Sequence, residues 1–179
     1  MAVRQAALLL AACACTARAR DDGLRLPPMG WMSWERYGCQ KDCAGRPDAC
    51  INAALFEAQA QALVDSGLRD AGYDRIDIDD CYMAPRDPVT GNLRADPARF
   101  PGGIRALADK VHGMGLKLGV YNDIGPGTCA GDPGLNVSAV PDARADARLA
   151  RDVRVMTEEW RIDSIKVDGC GARGPMNVT

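Results

Sequence analysis

The chain has 179 residues, with 22 basic against 24 acidic side chains and a formal net charge of −2 at pH 7. That length supports one well-cored domain, and the near-neutral balance, without a basic stripe, offers nucleic acid no electrostatic footprint. Beyond the first twenty residues no stretch reaches the roughly 20 consecutive apolar residues of a membrane helix, so no membrane span is expected.

The amino terminus reads as a secretory signal. A single early basic residue, Arg4, precedes an apolar run from Ala6 to Cys15, and Ala17-Arg18-Ala19 forms a small-x-small cleavage pattern. Cleavage after Ala19 places the mature domain at residues 20–179. It also removes Cys13 and Cys15, leaving Cys39, Cys43, Cys50, Cys81, Cys129 and Cys170, an even set that reads as three disulfides in a secreted chain. A zinc site is the competing reading. It has no Cys-x-x-Cys pair to build on, and His112 is the chain's one histidine.

Four short apolar segments of β character follow: Met29 to Trp34, Tyr73 to Asp79, Lys117 to Asp123 and Ser164 to Asp168. Between the first two, Ile51 to Val64 sets Leu55, Ala58, Ala62 and Leu63 at helical spacing, and Gly67 stops the run. Between the next two, Ile104, Leu107, Ala108 and Val111 repeat that spacing, with Pro101 at the start and Gly113 or Gly115 at the end. The last connection, Gly125 to Asp163, opens with a Gly/Pro-rich loop. It continues through Pro141 to Asp152 with alternating charges, the pattern of a solvated helix.

Strands alternating with helices argue for a parallel sheet joined by right-handed crossovers. A doubly wound nucleotide-binding sheet shares the alternation. Here, however, Glu35-Arg36-Tyr37-Gly38-Cys39 follows the first strand, with no glycine-rich turn to cradle a phosphate. Acidic, basic and aromatic side chains at strand ends, two of them followed at once by cysteine, match how a (β/α)8 barrel assembles a sugar-cleaving site. A complete barrel takes about 250 residues, so the chain, with four such segments, reads as about half of one. The inner face and the open edges of that half are expected to be apolar.

Asp168 precedes a glycine and on its own reads as a turn residue. Lys166 stands two positions earlier and so on the same face, where an ammonium keeps a neighbouring carboxylate ionised, ready to attack an anomeric carbon. Asp77 and Asp79 share a face by period two, while Asp80 points away or begins the loop. Adjacent carboxylates grip a cation or accept hydrogen bonds from sugar hydroxyls, and strand-end capping is the plainer reading of Asp77. Trp34, opposite Trp31 by parity, offers a platform for a pyranose, and Tyr121 a phenolic donor. His112 falls on the second helix, away from every strand end, which argues against a histidine-based triad. Asn136-Val137-Ser138 and Asn177-Val178-Thr179 are N-glycosylation acceptor patterns.

Residues 23 to 135 and 152 to 170 carry Pro28-Met29-Gly30-Trp31, Trp34-Glu35-Arg36, Asp70-Ala71-Gly72-Tyr73, Ile78-Asp79-Asp80-Cys81, Asp96-Pro97, Arg99-Phe100-Pro101, Gly115-Leu116-Lys117-Leu118-Gly119, Thr128-Cys129-Ala130-Gly131 and Lys166-Val167-Asp168-Gly169-Cys170. In that order they resemble the N-terminal part of the eukaryotic α-galactosidases and α-N-acetylgalactosaminidases, glycoside hydrolase family 27.

The resemblance implies a retaining exo-α-glycosidase of the lysosome or the secretory pathway, acting on terminal α-galactosides or α-N-acetylgalactosaminides and pairing as a homodimer when full length. Asp168 corresponds to the nucleophile. Asp79, Asp80 and Lys166 correspond to residues that hold the sugar's hydroxyls, and Trp34, Tyr121 and Cys129 to residues lining the pocket. It implies the pairs Cys39 with Cys81, Cys43 with Cys50 and Cys129 with Cys170. Neither metal nor cofactor is expected. The family's general acid/base and its galactose-discriminating loop correspond to positions beyond residue 179, which leaves a second reading, an inactive secreted module that binds sugar or a partner.

A non-reducing peptide map of the secreted chain is expected to show a peptide joining the Cys39 and Cys81 regions and no free thiol. Stoichiometric zinc with free thiols is the outcome that contradicts it.

Overall fold

The computed structural model describes residues 27–137 and 142–170. The signal segment 1–19, Ser138, Pro141, Asn177 and the tail 171–179 lie outside the described residues.

The elements run β1 (Gly30–Met32), α1 (Trp34–Tyr37), α2 (Ala53–Asp65), β2 (Arg75–Ile78), α3 (Gly103–Gly113), β3 (Lys117–Asp123), α4 (Ala143–Arg154) and β4 (Ser164–Asp168), with a π-helical turn, Val155–Glu159, between α4 and β4. The strand pairings within the sheet are parallel and its order is β1-β2-β3-β4. A doubly wound sheet reverses its order at a switch point; this one advances one strand at a time, as a barrel does. Among the described residues, no helix is long and apolar enough to cross a membrane.

The first strand is shorter than its apolar run. Ser33 ends it because the Ser33 amide donates to Asp77 O at 3.3 Å while Ser33 O accepts from Tyr37 N at 2.9 Å, which starts a helical turn. Trp34 therefore sits at the start of α1, not on β1. It still lies apart from Trp31, which packs edge-on against Tyr37 and Phe56, each with ring centroids 6.0 Å away.

Asn52 caps α2, its side chain accepting from Leu55 N at 2.9 Å. Gly67, at φ +75°, takes the left-handed turn just past the helix. The core lies between the helices and one face of the sheet. Ile76, Ile78, Leu118 and Val120 from the strands are buried with Leu55, Phe56 and Leu63 of α2 and Ile104, Leu107 and Val111 of α3.

The other face of the sheet is polar, which corrects the expectation of an apolar inner face. Asp77, Gly119 and Ser164 stand side by side in register, and Ser164 Oγ donates to Asp77 Oδ1 at 3.4 Å. Gly119 is required there, because a Cβ would collide with that carboxylate oxygen and with Ser164 Oγ. The exposed apolar side chains of β4, Ile165 and Val167, belong to the opposite, helix-facing side.

Helix α4 is not wholly solvated either, since Asp152 is fully buried. Arg86 grips both its carboxylate oxygens, each at 2.7 Å, and donates to Gly91 O at 3.1 Å and Gly134 O at 2.8 Å. One guanidinium thereby joins the loop after β2, the loop after β3 and α4.

Breaking a buried pair strands a desolvated charge. Asp152→Ala is expected to cost about 3–5 kcal/mol in denaturant unfolding, whereas Asp109→Ala, which breaks exposed pairs with Arg105 and Arg161, costs under about 1 kcal/mol. Equal losses would assign Arg86 no clamping role.

Candidate active site

Seven side chains line one open cleft beyond the C-terminal ends of the strands: Trp34, Asp79, Asp80, Tyr121, Cys129, Lys166 and Asp168. These are the residues that the resemblance marks for the nucleophile, the sugar hydroxyls and the pocket wall, whereas Asp77, read from the sequence on one face with Asp79, does not line the cleft.

Register explains the ordering. Tyr121 and Lys166 are paired across β3 and β4, and Asp123 and Asp168 are paired two residues further on, so these side chains leave the same face at successive levels. Lys166 Nζ does not pair within its own strand. It reaches across β3 to Asp79 Oδ2 at 2.8 Å and lies 5.1 Å from the centre of the Tyr121 ring.

Asp79 and Asp80 both enter the cleft although they are adjacent, because β2 has already ended at Ile78. Asp80 N donates to Asp79 Oδ1 at 2.8 Å, Cys81 N donates to Asp80 Oδ1 at 2.7 Å, and Ala130 N donates to Asp80 Oδ2 at 2.9 Å. Cys81 holds a left-handed φ of +75°, a strain that the surrounding structure sustains at the rim. Both carboxylates are essentially buried, so these amides and Lys166 replace the water they have lost.

Asp168 Oδ1 accepts from Gly169 N at 2.8 Å, and the Tyr121 hydroxyl points at Asp168 Oδ2 at 3.4 Å. Burial pushes the Tyr121 phenol far above its ordinary pKa, with the Asp80, Asp168 and Asp123 carboxylates adding to the effect, so it remains a protonated donor.

Three disulfides brace the rim. Cys39 to Cys81 joins the loops after α1 and β2, Cys43 to Cys50 closes the first loop on itself, and Cys129 to Cys170 ties the loop after β3 to the end of β4. Ligand atoms of Asp123, Cys129, Asp168 and Cys170 lie within 4.8 Å of one another. The two sulfurs are bonded to each other, so they supply no thiolate to a metal. Asp123 was not singled out in the sequence; its place as the last residue of β3, in register with Asp168, is the signal that marks it. His112 lies away from the cleft, with Nε2 2.8 Å from Asp163 Oδ2 near the opposite ends of the strands.

A sequentially wound parallel sheet with carboxylates, a lysine and aromatic residues at its C-terminal rim has the architecture of part of a (β/α)8 barrel. Alpha-galactosidase I from Mortierella vinacea superposes with a TM-score of 0.67 and 34% identity, covering 86% of this chain and 34% of that one. The family described as Alpha galactosidase A matches residues 26–179, and the chain belongs to it. Human alpha-galactosidase A is 48% identical over 155 residues, which is 86% of this chain and 34% of the relative. Alpha-N-acetylgalactosaminidase of Mus musculus is 43% identical over 169 residues, 94% of this chain and 38% of the relative. The chain therefore spans about a third of the length of the curated relatives it matches.

Burial raises the pKa of Asp77, one level below the cleft, against a smaller opposing effect of Arg75. The folded chain thus holds this proton more tightly than the unfolded one. Its stabilising contribution is fully present below the ordinary carboxylate value of about 3.9 and is lost as pH rises through the raised value. Asp77→Asn is expected to abolish that part of the pH dependence in unfolding experiments. An unchanged pH slope would place the titration elsewhere.

Proposed function

We propose that this chain carries the nucleophile and the sugar-gripping residues of a retaining α-glycosidase that releases terminal α-galactosyl or α-N-acetylgalactosaminyl residues from glycolipids and glycoproteins. The names of its relatives, alpha-galactosidase A and alpha-N-acetylgalactosaminidase, support that substrate class. The observation that carries the reading is Asp168: a carboxylate at the C-terminal end of a barrel strand, facing a cleft it shares with two other carboxylates and a lysine.

In this reaction an Asp168 oxygen attacks the anomeric carbon as the bond to the leaving oxygen breaks, and a second carboxyl group gives that oxygen its proton. The same group then takes a proton from water, which displaces Asp168 and restores the original configuration. Asp79 and Asp80 accept hydrogen bonds from sugar hydroxyls, Lys166 donates one, and Trp34 and Tyr121 flank the carbon face. In retaining enzymes the second carboxyl group stands about 5–5.5 Å from the nucleophile. Asp123 is near enough, yet it is fully buried and accepts from Gly125 N at 2.7 Å. In the family this chain resembles, the general acid/base corresponds to a position beyond residue 179, and that resemblance is what supports placing the role there.

The disulfides support passage through an oxidising compartment. With the signal pattern at residues 1–19, they favour a secreted or lysosomal destination, where Asn136 and Asn177 become candidate glycan acceptors.

Residues 20–179 alone are expected to leave a chromogenic α-galactoside intact. In a polypeptide that continues the reading frame, Asp168→Asn lowers kcat/KM by at least roughly a thousandfold, and a 2-fluoro galactosyl inactivator labels the peptide containing Asp168. A label on another carboxylate, read by mass spectrometry, refutes the assignment.

A further inference from the structure

We infer that Tyr82 is a positioning residue for the cleft: its hydroxyl takes the place of the ladder rung that the Asp79-Asp80 turn gives up, and so holds the strand segment that carries Tyr121. The inference rests on the glycosidase reading only for the sugar-binding part of its test.

Ile78 pairs with Val120, and Lys117 N donates to Asp74 O at 2.8 Å, so Lys117, Gly119 and Tyr121 turn their backbone groups toward β2. Continued by one more rung, the parallel ladder would bring the Asp80 amide to the carbonyl of Tyr121. That amide instead donates to Asp79 Oδ1 at 2.8 Å. The Tyr121 carbonyl, in a fully buried stretch of β3, would lose its strand partner at this point. The Tyr82 hydroxyl fills the gap, donating to Tyr121 O at 3.1 Å.

Tyr82 is built to do this and nothing more exposed. It is fully buried, its ring packs edge-on against Trp160 with centroids 6.3 Å apart, and burial keeps its phenol protonated. Phenylalanine would fill the same space without supplying the donor. The contact matters for the cleft because Tyr121 touches both sides of it: its hydroxyl points at Asp168 Oδ2 at 3.4 Å, and its ring lies 5.1 Å from Lys166 Nζ, which in turn grips Asp79. The hydroxyl that frees the Asp80 amide to orient Asp79 also fixes the residue between Lys166 and Asp168.

The test compares Tyr82→Phe with Trp160→Phe, which trims the packing around Tyr82 without removing its hydroxyl. In the full chain labelled with carbon-13 at tyrosine, the Tyr121 carbonyl and ring resonances are expected to move in Tyr82→Phe and to stay in place in Trp160→Phe, although both variants melt at lower temperature. Galactose affinity, followed by NMR titration, falls about tenfold in Tyr82→Phe and less than about twofold in Trp160→Phe. Equal losses in the two variants, or unmoved Tyr121 resonances in Tyr82→Phe, would reduce Tyr82 to packing alone. A wild-type polypeptide that continues the reading frame into the complete barrel and binds no galactose argues against the glycosidase reading, while the Tyr121 resonances, which need no sugar, still decide the role of Tyr82. Should Tyr82→Phe fail to fold, the wild type suffices: the Tyr121 carbonyl resonance shifts when exchangeable protons are replaced by deuterons if a hydroxyl donates to it, and its invariance would overturn the inference.

Discussion

The cleft depends on the ion pair between Lys166 and Asp79, 2.8 Å long, because it crosses from β4 to β2 over the strand between them. The Asp79 side chain is only 2% exposed, and a carboxylate so far out of water needs a cation and donors close by. Lys166 supplies the cation, Asp80 the backbone donor, and the Tyr121 ring the surface beside the ammonium. Three strands are thereby tied together at one level. Asp168, two residues beyond Lys166 on the same face, takes its position from the same register.

The two faces of the sheet divide the work. Toward the helices, Ile76, Ile78, Leu118 and Val120 are buried against α2 and α3 and supply the apolar area that drives folding. On the other face, successive levels hold Asp77 with Gly119 and Ser164, then Tyr121 with Lys166, then Asp123 with Asp168. Polarity on that side is tolerated because each buried group has a partner of its own: Ser164 for Asp77, Lys166 for Asp79, and backbone amides for Asp80. The packing that stabilises the sheet and the groups proposed for chemistry therefore do not compete for the same positions.

Rim loops lie outside the parallel ladder and carry isolated bridges, Met83 with Ala95 and Gly127 with Pro133, and two kinds of cross-link add to these. The disulfides Cys39 to Cys81 and Cys129 to Cys170 reach between the loops of neighbouring strands. The Arg86 fork ties the Gly/Pro-rich loop after β3 to α4 through Gly134 O and Asp152. The Cys129 loop in turn donates the Ala130 amide to Asp80. A loop that lies far from Asp80 in the chain thus becomes part of its binding site.

By itself the sequence determined the order of strands and helices and the parallel winding, because period-two and helical spacing are local signals that survive without coordinates, while the full set of cleft residues came from the motifs it shares with a known family. Only the tertiary structure decided where those residues point and what they bind. Parity along a strand predicts direction only while the strand lasts: β1 stopped at Met32 and moved Trp34 onto a helix, and β2 stopped at Ile78, which turned Asp79 and Asp80 into one cleft. The polar inner face, the choice of Asp79 as the partner of Lys166, and the burial of Asp152 within a charged helix are long-range facts. They follow from which strands and loops become neighbours in space, and spacing along the chain carries no record of that.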